Sequence, residues 1–416
     1  MSYIQQLQNK LNFEKIFFTL VLIFAFILPL SRALISLIII LLIIVWGIQG
    51  DFKNKINTIK NNKVLMALFF FILWNFISLL WTDYSEHLLR TIRLNFYLLG
   101  VFIIATSIKK EQISSIITAF LSGMFISEMI AYGVFFELWT FKHATPATPS
   151  PFMMHIDYSV FLAFSSMLLL NRLFSSLYSL KEKFFISFFF LTVTGNLFLS
   201  TGRTGQVAFI AAIFVLSIIH FRLSIKSFFI SLLLLISIFS SAYMLSNSFV
   251  IRVNDTVKDV TRVFNKDLNG SWGIRAAYWI ITYDSFKKHP FGSGLGNYSK
   301  AIKEQISKNN YTFIDKRSKQ FMEKYHPHNQ YLLIILESGF IGLLLFFNLI
   351  YQMLVFKIKD KEIKELSTLF VTIFFVSCLA EPLLIKQFTL VLFVLFMGLF
   401  TLNNSNFKEK NLNHEK

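Results

Sequence analysis

Runs of about twenty apolar residues recur along almost the whole chain, and no other feature limits its folding so severely. Inside hydrocarbon every backbone N–H and C=O must be satisfied within the segment, so an apolar run of that length crosses a bilayer as a helix. Such runs are placed at 16–31, 33–50, 64–82, 88–107, 112–137, 152–171, 184–202, 204–221, 226–246, 329–356, 366–381 and 386–402. Only 15% of the 416 residues are charged, 55% are hydrophobic and 51 are Phe, which leaves too little polar surface for a water-soluble globule. The expected fold class is an all-α polytopic membrane protein. It has about 12 transmembrane helices and one large outer loop containing short helices. The first run shows no small-residue cleavage site and leads straight into the second, so it reads as a retained helix, not a signal peptide. A single cysteine, Cys378, excludes a disulfide framework or a thiolate metal site within one chain.

Charge placement sets the orientation. With both termini inside, the inner connections and tails collect 20 Lys and Arg and the short outer ones 6, the asymmetry that the positive-inside rule describes. The expected domain layout is therefore 1–245 with helices 1–9, 246–328 as the outer loop, and 329–416 with helices 10–12 and the inner tail. The long segment carries 14 basic residues against 7 acidic ones, although topology asks for no positive charge there. Either it is a solvated charged face, or it receives a polyanion such as lipid phosphate or pyrophosphate. Within it, Ile274, Tyr278, Ile281 and Phe286 share one side of a helix that His289-Pro290 ends. The Gly292-Ser-Gly-Leu-Gly296 turn follows a helix and lacks a Lys-Ser/Thr ending, so it is a poor nucleotide loop.

Polar groups stand out where apolar ones would be cheaper. Arg203 lies in Ser200-Thr-Gly-Arg-Thr-Gly-Gln206 between two spans. It either snorkels to headgroups or binds an anion that its small neighbours admit closely. Arg275 sits on the loop helix, either paired with Asp284 or Asp267 or donating its planar fork to phosphate oxygens. His326-Pro-His328-Asn329 opens a span, and a histidine there can take a proton from an attacking hydroxyl. Arg90 and Arg93, at i, i+3, either extend the anion site or anchor their helix. Glu337 is near enough to orient a neighbour of His328, and Asn329 is nearer. His155 and Asp157 open the sixth span, Glu381 closes the eleventh, and Glu128 in the fifth should face protein. No Asp-x-Asp pair, Walker motif or HExxH pair occurs, so no metal site is expected and arginines would supply the positive charge.

His328-Asn329, nine residues, then Gly339-x-x-Gly342 resembles the signature of the bacterial O-antigen ligase and polymerase superfamily. The stretch from Arg275 through Trp279 to His289-Pro290-Phe-Gly-Ser-Gly-Leu-Gly296 is similar to its loop helix and Pro-Gly turn. Thr201-Gly-Arg203-Thr-Gly is similar to its outer arginine turn, and the likeness covers roughly 195–345. The resemblance implies an inverting, metal-independent glycosyltransferase of the bacterial inner membrane, with cytoplasmic termini, a periplasmic loop and a periplasmic active site. It needs no cofactor. The donor would be an undecaprenyl-diphosphate-linked glycan and the acceptor lipid A-core, in contact with membrane lipids and no nucleic acid. Arg203 and Arg275 would hold the diphosphate and His328 would be the base, while the role of the extra His326 stays open. Alternatives are an O-antigen polymerase, a protein O-oligosaccharyltransferase of the same superfamily, or, from another class, a lipid-glycan flippase.

Overall fold

The computed structural model describes residues 11–221, 247–265 and 267–402, with isolated positions between 229 and 244. Apolar runs become helices where a short polar side chain can cap the first turn. Asn12 accepts from the Lys15 N–H ahead of α1 (Phe13–Ile27), and Ser31 from Leu34 ahead of α2 (Arg32–Gln49). A short α3 (Phe52–Lys60) follows, and Asn62 caps α4 (Lys63–Ile77) through the N–H groups of Val64 and Leu65. The run at 88–107 divides at Leu98 into α5 (Leu88–Tyr97) and α6 (Leu99–Ser107). Next come α7 (Ile113–Phe135), α8 (His155–Phe174), α9 (Leu180–Leu199), opened by a Ser179–Glu182 capping box, and α10 (Arg203–Phe221).

The polar segment forms α11 (Asn247–Phe264), α12 (Ser271–Lys288), α13 (Tyr298–Lys308) and α14 (Lys316–Lys324), and α15 (Gln330–Val355), α16 (Lys361–Ser377) and α17 (Gln387–Phe400) complete the chain. Among the described residues, eight helical stretches are long and apolar enough to cross a membrane, so this is an all-α, polytopic membrane protein. The expected runs at 16–31, 366–381 and 386–402 fold as shorter helices of 15, 17 and 14 residues, and 226–246 lies mostly outside the described residues. A count of about twelve therefore remains an expectation.

One apolar cluster joins the membrane helices, with Phe161 and Phe164 of α8 meeting Phe388 and Phe396 of α17. From Phe388 to Phe400 every residue of α17 is buried, so this helix is enclosed by its neighbours. Glu128 of α7 is buried at 2% exposure, facing protein as its charge requires. A second, separate cluster builds the polar segment: Tyr278 and Ile281 of α12, Ile302 of α13 and Met322 of α14 close over Leu332, Leu333 and Leu336 of α15. The start of α15 is thus shared between the apolar helix cluster and the polar segment.

Candidate active site

The site grows out of a break in α15. Gly339 has φ 63° inside the helix, and a Cβ there would meet the backbone of Pro290 and Phe291 at 2.3 Å. The break frees carbonyls, and the turn after α12 takes them up. Ser293 N–H donates to Leu336 O at 2.8 Å, Gly294 N–H to Glu337 O at 2.9 Å, and Phe340 N–H to Pro290 O at 2.9 Å. Gly292 and Gly294, at φ 81° and 93°, give the turn its curvature. The glycine-rich turn is therefore a strap that ties α12 to α15, which fixes Arg275 relative to His328.

A second staple comes from the loop after α16. Gln330 N–H donates to Cys378 O at 2.8 Å, Leu384 N–H to Gln330 Oε1 at 2.9 Å, and Asn329 Nδ2 to Leu379 O at 3.0 Å. Asn329 Oδ1 at the same time caps α15 by accepting from Tyr331 and Leu332. Next to this cap His328 adopts φ 46°, a left-handed conformation rare for a side-chain-bearing residue. The loop delivers Glu381, 1% exposed, to the imidazole, with Oε2 at 3.0 Å from His328 Nδ1. Glu381 Oε1 lies 3.4 Å from His326 Nε2 and 2.8 Å from Lys386 Nζ, and Lys386 Nζ reaches Asp157 Oδ1 at 3.1 Å. His326 Nδ1 accepts the His328 backbone N–H at 3.4 Å.

Charges in this cluster are uneven. Burial alone would raise the Glu381 carboxyl, but the hydrogen bond to His328 and the nearby charges of Lys386, His326 and His328 bring it down to about 2. Burial dominates at His326 and lowers it to about 4; Glu381 opposes the shift, while His328, Lys386 and Arg90 add to it. Near neutral pH the cluster therefore holds an anionic Glu381 against a neutral His326. A neutral His326 that accepts at Nδ1 carries its proton on Nε2, facing Glu381.

Beside the cluster opens a cavity of about 440 Å³. Val260, Val263 and Phe264 of α11 form one wall, Trp272, Arg275, Ala276 and Trp279 of α12 another, and Pro327, His328, Asn329 and Leu379 the floor. Of the expected site residues, Arg275, His328 and Asn329 line this space. Arg275 forms no pair with Asp284 or Asp267: its Nη1 donates to Ser271 Oγ at 3.1 Å, and burial lowers its pKa against the opposing charges of Glu381 and Asp259. Asp284 instead accepts from Tyr311 at 2.9 Å.

Arg203 is not in the cavity wall. Its Nη1 donates to Thr256 Oγ1 at 2.7 Å on α11, one turn before Val260. The small residues around it do not admit a ligand as expected. A Cβ on Gly202 or Gly205 would meet Ser159 at 2.3 Å or 2.1 Å, so the glycines let α10 pack against α8. Arg90 is exposed and donates to Ile385 O at 3.3 Å, and Arg93 is exposed on the same helix. Glu337 is buried away from His328, beside Asn75, Asn95 and Ser338 around a cavity of about 30 Å³, room for one water.

The left-handed His328, its capped neighbour and the strap seated on Gly339 now give the histidine–glycine pattern a spatial meaning. Residues 188–347 match the O-antigen ligase family model. No curated protein matches the chain. The matched stretch contains Arg203, Arg275, His328 and Asn329, whereas Asp157, Glu381 and Lys386 lie outside it. From sequence, Glu381 and Asp157 are legible only as span ends and Lys386 only as a connection charge, while Trp272 and the α11 wall carry no signal of a site. Two carboxylates and a lysine at buried span ends were the available signal.

Proposed function

We propose that this cavity transfers a glycan from undecaprenyl diphosphate to lipid A-core, with inversion and without a metal, at the periplasmic face. The match of residues 188–347 to the O-antigen ligase family supports lipid-linked glycan transfer of the ligase and polymerase type. The finer reading rests on one observation: Arg275 and His328 line the same cavity, and Glu381 occupies His328 Nδ1.

A sugar hydroxyl is a weak nucleophile until its proton is removed. With Nδ1–H donated to Glu381, His328 keeps Nε2 as the proton acceptor, a tautomer assigned from the hydrogen bond. The hydroxyl oxygen attacks the anomeric carbon and its proton passes to Nε2. The bond from that carbon to the diphosphate oxygen breaks, and the diphosphate leaves with the electron pair. Arg275 takes up the charge that develops on the leaving oxygens, with Arg203 joining it as Thr256 yields its guanidinium. Attack from the face opposite the leaving group inverts the anomeric centre in one step.

Among the described residues, His326, His328 and Glu381 also place ligand atoms within 4.8 Å of one another, a group able to hold a metal ion. Lys386 already bonds that carboxylate at 2.8 Å, which favours the metal-free reading. Reconstitution with purified undecaprenyl-diphosphate glycan and lipid A-core in excess chelator separates the possibilities. Full transfer to core is expected, and loss of transfer that zinc restores would replace the metal-free mechanism. Product on a second lipid-linked glycan instead of core would make the protein a polymerase.

A further inference from the structure

A second cavity of about 440 Å³ lies near the start of α4, away from the His328 cavity. α4 begins at Lys63 beside this cavity and ends where Ser78 Oγ accepts the Leu295 N–H of the polar segment. Ile43 and Trp46 of α2, Met66 and Phe69 of α4, and Phe102 and Ile103 of α6 make its walls, which are apolar throughout. One side is closed by α3, which supplies Ile56, Ile59 and the stem of Lys60. With nine residues α3 is far too short to span, and it suits the interface plane.

Lys60 lines this slot, and two further lysines flank it on the elements that form its walls. Lys53, Ile56 and Lys60 share one face of α3 by i, i+3, i+7 spacing, and Lys63 lies one turn before Met66 on α4. Lys53, Lys60 and Lys63 are all exposed. Lys55 differs: it is buried, its Nζ donating to Trp46 O at 2.8 Å and standing 4.4 Å from the Trp46 ring centre, which secures α3 to α2. Asp51 is the single acidic residue between positions 49 and 63, and it accepts from Asn54 Nδ2 at 2.7 Å. An apolar slot with Lys60 in its lining and exposed Lys53 and Lys63 on the helices that line it has the two-part character of an acyl chain joined to a negatively charged headgroup.

We propose that this slot binds one anionic phospholipid, an acyl chain lying between α2, α4 and α6 and the headgroup phosphate resting on Lys60 and Lys63. The site is separate from the His328 cavity and does not depend on the reaction carried out there. It adds to the Lys55 contact in holding α3 against the membrane body.

The test uses delipidated full-length protein in mild detergent, offered phosphatidylglycerol or phosphatidylcholine with identical chains, and native mass spectrometry to count retained lipid. The protein should keep one phosphatidylglycerol roughly tenfold more tightly than phosphatidylcholine. K53A/K60A/K63A should reduce that retention to the phosphatidylcholine level, and Met66→Trp, which fills the slot, should reduce both. Lys357→Ala with Lys359→Ala, at a distant connection, should change neither. Equal retention of the two lipids, or undiminished phosphatidylglycerol binding by the triple-lysine variant, overturns the proposal. If Met66→Trp does not fold, the lysine variant decides alone, because its three side chains are exposed. Transfer activity is not the readout, so the outcome leaves the reading of His328 untouched.

Discussion

A histidine that takes a proton in catalysis needs one ring nitrogen bare and the other committed, and His328 has that division because Glu381 holds Nδ1 at 3.0 Å. His328→Ala should lower transfer by about 10²- to 10⁴-fold while the melting temperature stays near wild type; activity above a tenth of wild type would remove it as the base. Glu381→Gln should cost about 10- to 100-fold in kcat with donor KM little changed, and Glu381→Asp should recover part of it. A fall in donor affinity without a fall in kcat would instead give Glu381 a binding role. His326 makes a pH prediction. The folded protein protonates it only near pH 4, whereas the unfolded chain does so near 6.5. Between those values the unfolded state binds more protons, so acidification from pH 6.5 to 4 should lower stability, and His326→Asn should flatten that slope. Glu381 acts in a lower window: its stabilising contribution is present above pH 4.5 and is lost as pH falls toward 2. A melting temperature independent of pH between 6.5 and 4.5 would contradict the burial of His326.

At the scale of elements, the broken α15 and its strap carry the site. Gly339→Ala places a Cβ against the Pro290–Phe291 backbone at a positive φ, which should cost at least about 2 kcal/mol and reduce folded yield. A variant that melts like wild type would show that the strap is dispensable. Arg203 belongs to this scale as much as to the residue scale, since its bond to Thr256 holds the α11 wall. Thr256→Val should leave kcat within about tenfold, as loss of one neutral-partner hydrogen bond implies, but alter donor KM; Arg203→Ala should lower kcat and raise donor KM. Sequence spacing brought Arg275, His328 and Asn329 forward because guanidinium, imidazole and cap lie in one recognisable order. It could not bring forward Glu381, which reaches His328 across 53 positions through a loop whose place depends on Gln330 and Cys378 backbone contacts. The glycines around Arg203 looked like room for a ligand, and only packing shows that Ser159 fills it.

Taken as a whole molecule, the chain was legible as helical and membrane-spanning from apolar run length alone, since that signal needs no partner. The short helices were not, because α17 is surrounded by protein along nearly its entire length and is freed from the length a lipid-facing helix requires. Orientation can be checked directly. The sole native thiol, Cys378, is buried, so cysteines introduced at Lys303 and Lys359 report cleanly. A membrane-impermeant maleimide applied to spheroplasts should label Lys303→Cys and spare Lys359→Cys; the reverse pattern would invert the topology and move the site to the cytoplasm.

The strap has a bearing on how such proteins can be recombined. Its hydrogen bonds join the turn at 290–296 to backbone groups inside α15, and the Cys378–Leu384 loop bonds the start of the same helix. Exchanging the polar segment alone between two relatives would therefore cut across paired backbone groups and leave both halves mismatched. The portable unit is discontinuous: 270–342 must travel together with 378–386, and a graft respecting those borders should keep its proton acceptor in register where a graft ending at 328 should not.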